Sequence, residues 1–150
     1  MCIRDRVYIN QVEFENFKSF GGSVKIPLEE GFTVVTGPNG SGKSNILDGI
    51  LFCLGLANSR GMRAERLPDL INNSKVKEGK SSETFVAVKF NIEDWSPRED
   101  VPPLDLEEDD ISLNKGQKEW VVSRKLRLMP GGSYASVSYT HLTLPTNREV

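Results

Sequence analysis

The sequence predicts an α/β domain, and three observations predict it. Residues 32–36 read Phe-Thr-Val-Val-Thr, a β-branched run of buried-strand type. A glycine-dense turn follows at once, with glycines at 37, 40 and 42. From Lys43 the pattern becomes helical, because Ile46, Leu47, Ile50, Leu51 and Leu54 recur at spacings of one, three and four. That stripe should end near Gly55, and Gly49 within it weakens the helix slightly while letting another element approach closely.

The remaining elements are strands and loops. Residues 7–14 and 23–27 read as short strands joined by a turn at Gly21-Gly22. Residues 56–82 read as a loop-rich insertion with a short helix over 64–71. Between 60 and 80 this insertion carries six bases, among them Arg60, Arg63 and Arg66, against three acids, a net +3. Residues 84–92 and 120–129 alternate as strands, the latter with Val122, Arg124, Leu126 and Leu128 on one face. Between these, residues 93–110 hold nine acids, one base and three prolines, which marks a solvated surface loop, with no calcium-loop spacing. Pro130-Gly131-Gly132-Ser133 then turns into a last strand over 134–137.

Composition narrows the class. Leu, Ile, Val and Phe supply 42 of the 150 residues, above the roughly one-fifth below which a charged chain stays unfolded. One domain is expected at this length. A formal charge of −2 excludes a histone-like basic protein, although a local patch can hide in it. No apolar run of about 18 residues and no signal-like N-terminus are present, so the expectation is a soluble, cytoplasmic protein with no membrane partner. Cys2 and Cys53 lack metal-ligand spacing, and Cys53, among Leu51, Phe52 and Leu54, reads as a small buried hydrophobe. With His141 the lone histidine, a histidine triad or histidine metal centre is excluded. Residues 1–6 and 138–150 resemble translated adapter sequence and are expected to be non-native ends, leaving 7–137 as the natural domain.

The chemistry sits in residues 37–44, Gly-Pro-Asn-Gly-Ser-Gly-Lys-Ser, which match the phosphate-loop pattern G-x-x-x-x-G-K-[ST]. Triphosphate oxygens need many donors at short range, and glycines let successive backbone N–H groups curl around them without a Cβ in the way. The following helix adds its unpaired N–H groups and the positive end of its dipole. Lys43 is placed to reach the β- and γ-phosphates, and the Ser44 hydroxyl to ligate Mg²⁺. A dinucleotide fingerprint fails, since Gly40-Ser41-Gly42-Lys43-Ser44-Asn45 lacks the third glycine.

Three blocks around this loop carry a resemblance. Phe14-Glu15-Asn16-Phe17-Lys18-Ser19-Phe20, residues 37–48 (GPNGSGKSNILD) and residues 62–71 (MRAERLPDLI) resemble, in this order, the N-terminal head segment of SMC (structural maintenance of chromosomes) proteins. The wording of residues 52–56 and 67–73 is similar to the bacterial, cyanobacterial-type form, and the resemblance covers 7–137. It implies the N-terminal lobe of an ABC-type ATPase head, a phosphate-loop NTPase with a mixed sheet around the loop helix. It further implies that Pro38, Asn39, Gly40, Ser41, Gly42, Lys43, Ser44 and Asn45 bind ATP with Mg²⁺ on Ser44, and that Lys18 lies near the nucleotide. Arg63 falls on the family arginine that approaches DNA and the nucleotide site when two heads engage. The partners implied are double-stranded DNA, the C-terminal head lobe of the same chain, a second SMC head and accessory subunits, in a cytoplasmic, nucleoid-associated protein.

Several parts of such an ATPase are not in the sequence. No run of four apolar residues precedes Asp-Glu, and no Leu-Ser-Gly-Gly signature occurs. No catalytic residue is therefore assigned, and the chain reads as a fragment that binds ATP without appreciable turnover, the intact parent being the ATPase. The competing readings are a DNA-repair head of the RecN, RecF or Rad50 type, a small-molecule kinase and a structural DNA-binding module. The block at 62–73 favours SMC over the first, no lid or acceptor site after Val88 supports the second, and an ATP titration separates the third.

Overall fold

The computed structural model describes residues 7–56, 58, 60–75, 81–93 and 119–143. Five strands form one sheet: β1 (Tyr8–Phe17), β2 (Phe20–Pro27), β3 (Ser82–Asn91), β4 (Glu119–Leu128) and β5 (Tyr134–Thr143). Their order is β2-β1-β3-β4-β5 and all four pairings are antiparallel. One helix, α1 (Lys43–Leu54), lies across β1, β3 and β4. The acidic stretch beyond Glu93, Cys2 and the extreme ends lie outside the described residues.

The register explains the core. Phe14 pairs with Val86, Val12 with Val88 and Val88 with Val122, so one row of side chains runs across three strands beneath the helix. Val12, Phe14, Val86, Val88 and Leu126 are buried there with Phe52 and Cys53 of α1. Arg124 shares the face predicted for it. Its guanidinium carbon stands 4.7 Å from the Phe52 ring centre, and Nη1 donates to the Phe52 carbonyl at 3.0 Å. A cation on the last-turn carbonyls of α1 also opposes the negative end of the helix dipole.

α1 begins and ends where expected, with Gly55 at φ 68° closing it and Leu56 donating its N–H to the Leu51 carbonyl. Its buried face differs from the predicted stripe. Asp48, Gly49, Phe52 and Cys53 are buried, Ile46 and Ile50 are partly so, and Leu47 is 58% exposed. The cause is Gly49, where the Phe14 ring of β1 lies so close that an added Cβ would overlap it. Gly49→Ala should therefore cost about 1–3 kcal/mol through overpacking; denaturant melts check it, and an unchanged midpoint would contradict the packing.

Cys53 is buried as predicted, with its thiol pushed up to about 11 by burial. It donates to the Val122 carbonyl at 3.1 Å and behaves as a core residue.

Four expectations are corrected. The first hairpin turns at Lys18-Ser19, not at Gly21-Gly22, because β1 continues through a bulge at Asn16 that brings Phe17 into the core. Residues 32–36 form no strand, with Phe32 93%, Val34 65% and Val35 47% exposed. A strand needs a neighbour for its N–H and C=O groups, and none of the five lies beside this run. The helix expected over 64–71 is only a 3₁₀ turn, Leu67–Leu70, with a second at Asn73–Lys75; Pro68 supplies no N–H to extend it. β5 runs six residues past 137, because residues 138–143 complete the ladder with β4.

Candidate functional site

The glycine-rich loop joins the exposed run at 32–36 to the N-terminus of α1. Gly40 and Gly42 take φ of 81° and 99°, left-handed values that other residues avoid. A Cβ on Gly42 would also meet the Ser19 hydroxyl at 2.9 Å. Gly42 is the N-cap of α1 and no side chain caps it, so the first turn keeps its N–H groups at the loop. The Lys43 ammonium donates to the Gly37 carbonyl, folding back across the loop where a phosphate oxygen would replace that carbonyl. Ser44 is exposed on the first turn. Glycines that a Cβ would crowd, an uncapped helix start and a lysine over the loop together fit a triphosphate. For Mg²⁺ the fit is partial, since no described group of three His, Cys, Asp or Glu residues could hold a metal alone. The ion would rest on Ser44 and on phosphate oxygens.

A second layer stands beside the loop. Asp48, 5% exposed on α1, accepts through one oxygen, Oδ2, from Lys18 Nζ at 2.8 Å and from Arg63 Nη2 at 2.6 Å. Lys18 Nζ also donates to the Met62 carbonyl at 2.7 Å, and Arg63 Nη2 reaches Asn45 Oδ1 at 3.4 Å. Asn45 in turn donates to the Ser19 hydroxyl at 2.7 Å. Thus Lys18, Asn45 and Arg63, three residues singled out from the sequence, converge with the loop.

The backbone behind them is tied across the chain. Lys18 N–H donates to the Leu70 carbonyl, Asn72 N–H to the Asn16 carbonyl, and Asn72 Nδ2 to the Lys18 carbonyl at 2.6 Å. These bonds hold Asn16 and Lys18 at φ of 51° and 47°, which side-chain-bearing residues seldom adopt. Asp48 and Ser19 were not singled out by sequence reasoning. Asp48 had a readable signal, being the lone charge between Lys43 and Leu56.

A family model, the RecF/RecN/SMC N terminal domain, matches residues 8–134. The chain belongs to that family. A chromosome partition protein Smc of Synechococcus is 53% identical over 131 residues, covering 87% of this chain and 11% of the relative. The chain thus spans about a tenth of the length of these curated Smc relatives. Among solved structures, one from work on ATP-driven dimerization and DNA-stimulated activation of SMC ATPases is 34% identical. It superposes with a TM-score of 0.58 over 91% of this chain and 72% of that one. The Smc head domain of Pyrococcus furiosus, with an extended coiled coil and bound to the C-terminal domain of ScpA, is also 34% identical. It gives a TM-score of 0.60 over 92% of this chain and 30% of that one. The fold is therefore that of the N-terminal part of an SMC ATPase head, and no described helix is long and apolar enough to cross a membrane.

Proposed function

We propose that this chain is the ATP-binding N-terminal lobe of an SMC head, and that its parent organises, condenses and segregates chromosomal DNA through ATP-driven engagement of two heads. The observation that carries the reading is the uncapped helix start at Gly42 beneath a complete phosphate loop, in a chain of this family. Residues 38–45 would hold the triphosphate, Lys43 as a point charge and Ser44 as a ligand to Mg²⁺. Titration with a fluorescent ATP analogue and Mg²⁺ tests this, and the absence of saturable binding would overturn it. A RecN-, RecF- or Rad50-type repair head has less support, since the relatives above are Smc proteins.

The exposed apolar run at 32–35 supports the C-terminal lobe as an intramolecular partner. A β-branched segment that lies outside the sheet with its apolar side chains exposed is stabilised when another strand is added beside it. A second SMC head and accessory subunits complete the assembly we propose, located in the cytoplasm on the nucleoid. We also hold that residues 1–6 and 138–150 are adapter-derived. In support, the family match stops at 134, although residues 138–143 continue the ladder of β5 with β4.

Arg63 is proposed to contact DNA as well as the nucleotide site. It lies between the exposed Arg60 and Arg66 at φ 56°, with its side chain 56% exposed. Arg63→Ala in the full-length dimer should weaken duplex binding at all sequences alike and reduce the slope of log K against log salt by about 0.9. Unchanged binding, with crosslinks placing DNA elsewhere, would leave Arg63 as a surface charge.

A further inference from the structure

We propose that Asp48 is a positioning residue, holding the Arg63 guanidinium beside the first turn of α1 so that it meets a phosphate oxygen of the nucleotide on the loop. The inference rests on the nucleotide-binding reading above and goes beyond it by giving a role to a carboxylate one turn past the loop.

Three features of the site carry it. Asp48 is a charge on the otherwise apolar buried face of α1, which is costly unless it is paired. It is paired twice through one oxygen, with Lys18 largely buried and held by a second bond to Met62, and Arg63 more than half exposed. Lys18 thus compensates the buried carboxylate by itself, so the Asp48–Arg63 pair adds little needed for burial and serves to hold the exposed guanidinium in place. Second, Arg63 reaches both Asp48 and Asn45 through the same nitrogen, Nη2. A guanidinium carries five N–H donors in a rigid fork, so Nη1 and Nε can serve another acceptor while Nη2 stays on Asp48. Third, Arg63 sits on a left-handed backbone at φ 56°, a conformation that persists only where surroundings fix it. The backbone is fixed by the Arg63 N–H bond to the Arg60 carbonyl and by Lys18 on the Met62 carbonyl, while Asp48 and Asn45 hold the side chain, and Asn45 lies on the first turn of the helix whose N-terminus is the loop. The two cations outweigh the one carboxylate, which leaves the cluster attractive to an anion.

The ligand is a phosphate, from nucleotide or from duplex DNA, and the geometry beside Asn45 favours nucleotide. The experiment uses the full-length parent with Asp48→Asn, Arg63→Ala, the double variant and Asp48→Glu, measuring Mg-ATP and duplex binding separately. Asp48→Asn should weaken ATP binding about five- to tenfold, the double variant should be no weaker than Arg63→Ala alone, and Asp48→Glu should restore much of the loss. Full additivity of the two single variants, or an Asp48→Asn protein that binds ATP as well as the wild type, would overturn the role. Loss of duplex binding alone, with ATP binding intact, would overturn it in favour of DNA. If Asp48→Asn does not fold, Arg63→Lys gives the answer. A lysine cannot bridge two acceptors in a fixed fork, so it should lose as much ATP affinity as Arg63→Ala, and wild-type affinity would refute the proposal. Absence of ATP binding by the wild type would instead remove the nucleotide-binding reading itself.

Discussion

Replacing Lys43 by alanine is expected to lower the affinity for Mg-ATP by about ten- to a hundredfold, the change expected from losing a charge-assisted contact of roughly 1.5–3 kcal/mol. In the structure the ammonium rests on the Gly37 carbonyl, across the loop from the helix N-terminus. That bond is local and easily exchanged for phosphate oxygens. The fold should therefore survive the substitution, because Lys43 is not part of the buried core that joins α1 to β1, β3 and β4. Calorimetry on wild type and variant reads the affinity, and a thermal melt confirms that both are folded. Equal affinity would refute the loop as the nucleotide site. A fall much smaller than tenfold would mean that the backbone N–H groups at Gly40 to Gly42 carry nearly all of the binding.

The loop was legible in the sequence because its chemistry is local. The motif, its glycines and the helix that follows depend on neighbours a few residues away, and α1 begins and ends as the periodicity indicates. The long strands β3 and β4 were legible for a similar reason, since alternation over ten residues survives any particular pairing. What failed depended on distant partners. The run at 32–36 has strand composition but no strand beside it, so composition overstated its structure. The turn was misplaced because glycine density outweighed the Asn16 bulge, whose conformation is fixed by Asn72, more than fifty residues away. The face of α1 was misjudged because the contact of Gly49 with Phe14 cannot be read from the helix alone. At the site, Lys18, Asn45 and Arg63 came from family likeness. Asp48, the group that gathers two of them, emerged only once residues 18, 48 and 63 were seen together.

This chain alone is expected to bind ATP and yet show no appreciable turnover, with the missing lobe restoring activity in a concentration-dependent way. Hydrolysis requires the triphosphate held, the metal ligated and the attacking water oriented at the same time. In the proposed reading the loop would meet the first requirement and Ser44 would contribute one ligand to the second. The third has no candidate here, since the sequence has no apolar run ending in Asp-Glu and no described acidic cluster could complete the metal site. Asp48 cannot substitute as a base, because its carboxylate is buried and engaged by Lys18 and Arg63. By family likeness the acid is expected in the C-terminal lobe and the signature motif on a second head, so activity is expected to need two lobes and then two heads. Turnover by the completed head should consequently rise faster than linearly with head concentration, as expected when the active species is a dimer whose monomer is inactive. Phosphate release measured across a tenfold concentration range tests both statements. If the isolated chain hydrolysed ATP at a rate per molecule independent of its own concentration, the site would be complete within these residues, and the division of labour between lobes would be wrong.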